Sequence, residues 1–241
     1  MIVLGSTSEV AQAFVEKALQ EGEKFEKIYL FTSSKETTER FARHIDVKFL
    51  QQSEVIELDL LKGIDYNQFD DVNSNLLFCA TGYLGEGTEE GLYDNKNTQR
   101  IIDINYAKLV PVMNYFAQKF ESRRSGTIIG LSSVAGDRGR QSNFIYGSAK
   151  AAFTAYLSGL RNYLFDKKVH VMTVKPGFME TKMTEGLPLN PKLTATPKQA
   201  AESIFKAYKK QKNVAYVLPV WGIIMMIIRN IPEFIFKKLK L

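Results

Sequence analysis

The chain has 241 residues, of which 45% are hydrophobic and 24% charged, and these values predict one well-buried globular domain. Its only cysteine is Cys79 and its only histidines are His44 and His170, which excludes an intrachain disulfide and leaves no convincing set of metal ligands. The net charge of +6 includes no dense block of Lys and Arg, so nucleic acid binding is not expected.

Met1 leads directly into an apolar run that begins at Ile2. A basic region, a longer apolar stretch and a small-residue cleavage site would indicate a secretory signal, and this start has none of them. A single cysteine also suits a reducing compartment. We therefore expect a cytoplasmic protein.

Short β-branched or apolar runs alternate with longer helical stretches along the chain, which is typical of a parallel sheet covered on both faces. The predicted strands are Ile2–Gly5, Lys27–Thr32, Glu54–Leu58, Asn75–Ala80, Gly126–Ser132, Val169–Lys175 and Ala215–Leu218. The predicted helices are Glu9–Gln20, Lys35–Ile45, Lys96–Phe120, Gly147–Asp166 and Lys198–Lys210. This order predicts a single doubly wound α/β domain of the Rossmann type over residues 1–219, with ligands at the carboxyl ends of the strands.

The first turn between strand and helix begins at Gly5, where a glycine permits a tight bend and the helix N-terminus can bind a pyrophosphate. Glu9 and Ala11 occupy the positions of the second and third glycines of the usual fingerprint. An ordinary capped turn is therefore the alternative. Near a phosphate the Glu9 carboxylate must point away, and the hydroxyls of residues 6–8 could act as donors in compensation.

Tyr146 and Lys150 lie four residues apart and thus on one face of a predicted helix. The ordinary pKa of tyrosine is about 10, and an opposite charge within a few ångströms lowers such a value by about 1–3 units. A lysine together with an oxidised nicotinamide can supply that field. Ser133 follows a predicted strand, where its hydroxyl can polarise a substrate carbonyl. Asn105, inside a predicted helix, can anchor a proton path to Lys150.

These four residues, in this order and spacing, resemble the catalytic tetrad of the short-chain dehydrogenase/reductase family. The resemblance is carried by Leu131–Gly136, Tyr146-xxx-Lys150, Val174–Gly177 and the Ile104–Tyr106 stretch around Asn105. It implies that Tyr146 exchanges the proton of the alcohol, that Lys150 lowers the pKa of Tyr146 and binds the nicotinamide ribose, and that Ser133 holds the substrate oxygen. The alternative is that Tyr146 is a half-buried aromatic residue and Ser133 caps the end of a strand, without a catalytic role.

The resemblance also assigns a cofactor site. The family's Asn-Ala-Gly after the fourth strand is replaced by Ala80-Thr81-Gly82, and Asp59-Leu60 fits the pair that contacts adenine. No acidic residue follows the second strand before Glu36, so NADP(H) is favoured over NAD. The predicted cofactor contacts are Gly5, Ser6, Thr7, Ser8, Val10, Ser33, Ser34, Lys35, Asp59, Leu60, Ala80, Thr81, Gly82, Tyr146, Lys150, Pro176, Gly177 and Thr181.

Two features concern the substrate. Arg138 and Arg140 precede Tyr146 and could clamp a phosphate or a sugar acid, with a surface salt-bridge loop as the alternative. The tail, residues 220–241, contains an apolar run too short to span a bilayer, followed by mixed apolar and basic residues. It suits a membrane-interface anchor on the inner face of the membrane, and a lid over the substrate cleft or an oligomer interface fits equally well.

Within the family, Gly5–Val10, Ala135–Tyr146 and Met225–Pro232 resemble the decaprenyl-phosphoryl keto-ribose reductases. That resemblance implies a lipid-phosphate-linked keto sugar as substrate and a substrate loop at about residues 178–196. A reductase of a free hydrophobic ketone and a non-catalytic nucleotide-binding scaffold are the alternatives. Family members commonly pair through two long helices, here Lys96–Phe120 and Gly147–Asp166, so a homodimer or homotetramer is expected by resemblance.

Overall fold

A computed structural model describes residues 1–86 and 92–240 of the chain, so Leu241 of the tail lies outside it. The strands are β1 (Ile2–Leu4), β2 (Ile28–Thr32), β3 (Ser53–Glu57), β4 (Leu76–Cys79), β5 (Gly126–Leu131), β6 (Val169–Lys175), β7 (Phe178–Met179), β8 (Thr194–Ala195) and β9 (Val214–Tyr216). The helices are α1 (Glu9–Gln20), α2 (Lys35–Phe49), α3 (Asn95–Ile102), α4 (Leu109–Arg123), α5 (Phe144–Leu164), α6 (Pro197–Lys209), α7 (Pro219–Asn230) and α8 (Glu233–Phe236).

Within the described residues, seven strands form one parallel sheet in the order β3-β2-β1-β4-β5-β6-β9. The predicted seven-stranded, doubly wound sheet is thereby confirmed. The short β7 and β8 pair with each other in a separate parallel ladder. The strand order reverses between β1 and β4, and in sheets of this kind ligands bind outside the carboxyl ends of the strands at that reversal.

Helices cover both faces of the sheet because its central strands are apolar on both sides. One face packs against α1, α2 and α6, where Phe14 stacks on Phe78 with ring centroids 4.3 Å apart. The other face packs against α4 and α5 through Phe116 and Phe153. With both faces filled, the carboxyl-end loops are the part of the domain open to a ligand.

The predicted helix Lys96–Phe120 is in fact two helices, α3 and α4, joined by a wider π-helical turn at Asp103–Ala107. Such a turn inserts an extra residue into the helical ladder and is frequently found at functional sites. The sequence predicted one continuous helix because no glycine or proline lies in residues 95–110. The predicted helix Gly147–Asp166 corresponds to α5, which begins at Phe144.

The predicted substrate loop leaves the sheet after β6 and contains β7, two short helical turns (Lys182–Thr184 and Pro191–Leu193) and β8. The tail forms α7 and α8, and Pro232 stands at the break between them. Trp221 and Met225 of α7 are buried in a small apolar cluster with Val134. No helix in residues 1–86 and 92–240 has both the length and the apolar character to cross a membrane.

Candidate active site

The turn after β1 bends sharply at Gly5. Gly5 has a φ of +82°, and a Cβ at this position would lie 2.8 Å from the backbone nitrogen of Thr81. Only glycine therefore lets the turn pass against the end of β4. The backbone N–H groups of Gly5 and Ser6 both donate to the Phe31 carbonyl, at 3.1 and 3.0 Å. These bonds fix the turn and direct the first amides of α1 outward, where helical N–H groups have no intrahelical acceptor.

The hydroxyls proposed to compensate for Glu9 are partly used by the protein itself. Ser6 is fully buried and donates to the Val3 carbonyl at 3.1 Å. Ser8 is the N-cap of α1 and accepts from the Ala11 backbone N–H at 3.4 Å. Thr7 is the exposed member of the three, and Val10 is buried beneath the turn. Two of the three hydroxyls thus take part in the turn itself, and their role as donors in compensation for Glu9 stays a prediction.

Glu9 does point away from the turn, but it does not cap its own helix. Its Oε2 accepts a hydrogen bond of 2.9 Å from the backbone N–H of Lys182, in the first helical turn of the substrate loop. Its carboxylate is thereby directed to a donor 173 positions further along the chain. This bond accounts for an acidic residue in a loop suited to phosphate.

Asn105 lies in the π-helical turn and is fully buried. Its Nδ2 donates to the carbonyls of Tyr83 and Ile101 at 2.7 and 2.8 Å, and its Oδ1 accepts from the Tyr83 backbone N–H at 3.2 Å. The side chain thus holds the segment after β4 against the end of α3. Its role as the anchor of a proton path to Lys150 stays a prediction.

Lys150 is 3% exposed and reaches the same region from α5. Its Nζ donates to the Leu131 carbonyl at 3.2 Å and to the Thr81 carbonyl at 3.5 Å. A Cβ at Gly82 would lie 3.2 Å from Lys150 Nζ and 3.3 Å from Asn105 Oδ1. The lysine and the asparagine are therefore neighbours on either side of Gly82, as a proton path between them requires.

Ser133 follows β5 and Tyr146 lies in the first turn of α5. The two side chains are joined by a hydrogen bond, which acts to lower the pKa of Tyr146. Ser133 Oγ also accepts from the Ala135 backbone N–H at 3.1 Å. All four tetrad side chains thus converge at the carboxyl ends of β4 and β5.

The pKa values of Tyr146 and Lys150 correct one expectation. Burial raises the pKa of Tyr146 to about 12, against the lowering effect of Ser133. Burial also lowers the pKa of Lys150 to about 8, and its Nζ lies 5.7 Å from the centroid of the Tyr146 ring. Lys150 was expected to lower the pKa of Tyr146, but in the protein alone the desolvation of both groups dominates. Tyr146 is therefore a protonated phenol at neutral pH.

The region after β2 exposes Ser33, Ser34 and Lys35. The Ser34 backbone N–H donates to Thr32 Oγ1 at 3.0 Å, and Lys35 Nζ lies 3.6 Å from the Glu57 carboxylate. Sequence reasoning found no acid after β2 and overlooked Glu57, because that residue ends the neighbouring strand. Lys62 also contacts Glu57, at 3.6 Å, and thus two lysines share one carboxylate.

The remaining predicted cofactor residues line the carboxyl edge of the sheet. Asp59 Oδ1 accepts from the Leu61 backbone N–H at 2.9 Å, which orders the loop after β3, and Leu60 is buried. Ala80 donates its backbone N–H to the Leu4 carbonyl at 2.8 Å and so aligns β4 with β1. Thr181 begins the Lys182–Thr184 turn with a capping box.

Arg138 directs its guanidinium to the tail. Its Nη1 donates to the carbonyls of Ile228 and Ile231, each at 2.6 Å, and its Nη2 binds Glu233 at 2.8 Å. The guanidinium also lies 3.6 Å from the centroid of the Phe236 ring. It stabilises the end of α7 because a cation is favourable near the last carbonyls of a helix. The predicted clamp of two arginines is therefore wrong in its first member.

Arg140 is in a different situation. Its Nε is buried and has no hydrogen-bond partner among the described residues, and the same is true of Asn143 Oδ1. Burial lowers the pKa of Arg140, and Asp137 acts in the opposite sense. Asp137 itself bonds to Lys175 Nζ and accepts from the Tyr216 hydroxyl at 2.8 Å. A buried donor and acceptor without partners beside Tyr146 can take polar groups of a ligand.

Trp221 of α7 is a site residue that sequence reasoning missed. A Cβ at Gly177 would lie 1.9 Å from Trp221 Nε1, so the indole rests directly on the turn after β6. Its Nε1 donates to the Leu193 carbonyl at 3.0 Å, and its ring meets Phe178 edge to face at 5.3 Å. Pro176 precedes this contact and accepts from the Val134 backbone N–H at 3.0 Å. Trp221 therefore fastens both ends of the substrate loop.

The family model of the short-chain dehydrogenases matches residues 1–192. An uncharacterized oxidoreductase of Mycobacterium tuberculosis is 29% identical over 160 residues, which cover 66% of this chain and 64% of the relative. The chain thus aligns with less than two thirds of that relative's length.

Two solved structures share the fold. A short-chain dehydrogenase from Burkholderia cenocepacia in complex with NADP has a TM-score of 0.82 at 19% identity, covering 100% of this chain and 96% of that one. A short-chain dehydrogenase from Sphingobium yanoikuyae in complex with NADPH has a TM-score of 0.79 at 17% identity and covers 96% of both chains.

Proposed function

The chain belongs to the short-chain dehydrogenase family of oxidoreductases, and from this premise we propose that it is an NADP(H)-dependent enzyme that interconverts a carbonyl and an alcohol. The observation that carries the proposal is the convergence of Asn105, Ser133, Tyr146 and Lys150 beside Gly82. A scaffold that only bound nucleotide would have no need to desolvate a lysine next to a tyrosine.

The binding groups for a dinucleotide are in place along the carboxyl edge of the sheet. Gly5 and the N-terminus of α1 suit the pyrophosphate, and Lys35 with Lys62 offers cations to a 2′-phosphate. Both solved neighbours described above were crystallised with NADP or NADPH. When bound, the cofactor supplies or accepts the hydride, and NAD is the alternative cofactor.

The protein's own residues supply the proton and the orientation. Ser133 holds the substrate oxygen by a hydrogen bond, and Tyr146, protonated at neutral pH, donates its phenolic proton to that oxygen during reduction. Lys150 binds the ribose and, through its neighbour Asn105, connects Tyr146 to a proton source.

For the substrate, we propose a keto sugar, with a lipid-phosphate-linked keto sugar as the specific form. Support comes from two buried unpartnered atoms: Arg140 Nε can donate to a phosphate, and Asn143 Oδ1 can accept from a sugar hydroxyl. The resemblance of the Ala135–Tyr146 stretch to keto-ribose reductases points the same way. Arg138 is not part of this proposal, because its donors bind the tail.

A second candidate is a free hydrophobic ketone. The wall formed by Trp221, Phe178 and Val134 is apolar, and a cleft beside it would accept a ring or an acyl chain. In this reading the tail acts as a lid. The two candidates differ in whether Arg140 contributes to binding.

The setting of the enzyme is also part of the proposal. We expect a cytoplasmic protein that associates peripherally with the inner face of the membrane through residues 220–241. We further expect a homodimer or homotetramer that pairs through α4 and α5, as is common in the family.

The test is a screen for NADPH oxidation against keto sugars that carry a phosphate or a polyprenyl phosphate, with free hydrophobic ketones and NADH in parallel. Faster turnover of the phosphate-bearing sugars, and its loss in Arg140→Met, would support the first candidate. Equal turnover in Arg140→Met, with a preference for the free ketones, would favour the second. Lack of turnover with every carbonyl compound and either cofactor would count against the proposed activity.

A further inference from the structure

The tail carries exposed apolar side chains on the side that faces away from the protein. Ile223, Met226 and Ile227 of α7 are 58–59% exposed, and Phe234 of α8 is 66% exposed. We call the whole set the outer tail face, which consists of Val220, Ile223, Met226, Ile227, Phe234, Ile235 and Leu239. Isolated exposed apolar residues are normal in proteins, but a contiguous group of this kind marks an interaction surface.

The opposite side of the same helix is buried, and this fixes the orientation of the outer tail face. Trp221 and Met225 are 3% and 0% exposed and pack against Val134, directly after the catalytic Ser133. Arg138 holds the end of α7 through the Ile228 and Ile231 carbonyls. The helix is therefore attached firmly by one side, and its second apolar side has no partner within the described residues.

Charges around the outer tail face have one sign. The exposed basic residues of the tail are Arg229, Lys237, Lys238 and Lys240. None of these four forms a salt bridge within residues 1–86 and 92–240. Glu233 is the acidic residue of the tail, and its carboxylate is bound by Arg138. The surface is thus apolar in the middle and cationic at its C-terminal end.

We propose that the outer tail face docks on an anionic lipid surface, with α7 lying in the interface and the lysines at the headgroups. Apolar side chains that enter the acyl boundary beside lysines that meet phosphates are the pattern of interfacial helices. A second copy of the chain is a poorer occupant, because a symmetric pair would bring two sets of unpaired cations together.

The docking places the substrate site near the membrane. Trp221 on the inner side of α7 fastens the substrate loop at Gly177 and Leu193, so one helix contacts both the loop and the proposed lipid surface. For a lipid-linked substrate, this position would let the reacting sugar enter the cleft while its lipid stays in the bilayer. That last step rests on the proposed substrate, whereas the docking itself does not depend on which reaction the enzyme catalyses.

The experiment is co-sedimentation of the full-length protein with vesicles of phosphatidylcholine alone and of phosphatidylcholine with 30% phosphatidylglycerol. We expect binding to the anionic vesicles, weakening as salt is raised. The double variant Ile223→Glu with Ile227→Glu should reduce that binding at least tenfold. Its matched control is Val47→Glu with Leu50→Glu at the C-terminal end of α2, where the side chains are 79% and 90% exposed, and this control should bind like the native chain.

A second variant tests the charges independently of the apolar side chains. Changing Lys237, Lys238 and Lys240 to Gln should weaken binding by about fivefold for each lysine, or about a hundredfold together. The three lysines are exposed, so these substitutions should leave the folded core intact.

Failure to bind anionic vesicles, or unchanged binding in both tail variants, would overturn the docking. Release of a dimer to monomers by the Ile223 and Ile227 changes, without vesicle binding in the native chain, would assign the face to a second copy and also overturn it. NADPH oxidation with a soluble ketone is measured in the same samples. Retained turnover without vesicle binding refutes the docking and leaves the proposed reaction standing.

Discussion

The Glu9 carboxylate accepts a hydrogen bond of 2.9 Å from the backbone N–H of Lys182 and so joins the turn after β1 to the substrate loop. Glu9 opens α1, whose N-terminus is the proposed pyrophosphate site, and Lys182 follows Thr181 in the loop. A substitution at Glu9 should therefore affect the substrate loop at Lys182. We therefore expect cofactor binding to be coupled to the ordering of the substrate loop.

Replacing Glu9 by Ala removes the acceptor and should loosen the substrate loop. A single hydrogen bond of this kind contributes about 0.5–1.5 kcal/mol, so the KM for the carbonyl substrate should rise about two- to tenfold. Glu9→Gln keeps an acceptor oxygen and should remain close to the native value. Limited proteolysis within residues 178–196 should be faster in the Ala variant only. Equal proteolysis of all three proteins would show that the bond does not hold the loop.

The low pKa of Lys150 should set the alkaline limit for cofactor capture. Burial lowers that pKa to about 8, so the ammonium is present below pH 8 and is lost as the pH rises through that value. Since the kcat/KM for NADPH reports ionisations of the free enzyme, it should fall above about pH 8. Lys150→Arg keeps a charged side chain and should shift this fall to higher pH. A flat native profile to pH 10 would contradict the assignment.

Lys35 should decide part of the preference for NADPH. Its Nζ is held near Glu57 beside the proposed 2′-phosphate site, and loss of one partly exposed charge contact is worth up to about 1 kcal/mol. Lys35→Ala should therefore raise the KM for NADPH by up to about fivefold and leave the KM for NADH unchanged. Lys48→Ala, at the other end of α2, is the matched control. An equal change in the KM for both cofactors would show that Lys35 does not contact the 2′-phosphate.

The two arginines before Tyr146 should have opposite effects. Arg138→Met removes bonds to the end of α7 and should lower stability by about 1–3 kcal/mol, measured by chemical unfolding. Arg140→Met removes a donor with no protein partner and should leave stability nearly unchanged. It should instead raise the KM of a phosphate-bearing substrate by about ten- to a hundredfold. A loss of stability in Arg140→Met together with a raised KM in Arg138→Met would contradict both roles.

Trp221 is the single tryptophan of the chain, so its fluorescence reports directly on the contact with Gly177. Gly177→Ala would place a Cβ 1.9 Å from Trp221 Nε1, and the indole must move. We expect a lower Tm and a red-shifted emission as the ring becomes hydrated. Gly63→Ala, where an added Cβ meets nothing within 4 Å, is the control and should keep both properties. An unchanged emission in Gly177→Ala would show that the packing is different.

The sheet and the tetrad could be predicted because they rest on local signals. Most strands of the sheet are short apolar runs, and the spacing of Tyr146 and Lys150 places both on one helix face. The π-helical turn around Asn105 could not be predicted, since no glycine or proline marks it in the sequence.

Contacts between segments far apart in the sequence could not be predicted either. Arg138 and Arg140 are two positions apart and look alike, yet one binds the tail and the other keeps a buried atom without a partner. The hydrogen bond of Glu9 to the substrate loop and the packing of Trp221 on Gly177 exist only in the folded chain. The pKa values of Tyr146 and Lys150 depend on burial, which a spacing rule does not measure.

The most direct test of the proposed reaction is Tyr146→Phe, which removes the phenolic proton and keeps the ring. With the best carbonyl substrate from the screen, we predict that kcat falls about 10²- to 10⁴-fold, as expected for loss of an acid catalyst. The affinity for NADPH, followed by Trp221 fluorescence, and the Tm should stay close to the native values. A Tyr146→Phe variant that binds NADPH and retains native kcat would contradict the assignment of Tyr146 as the proton donor.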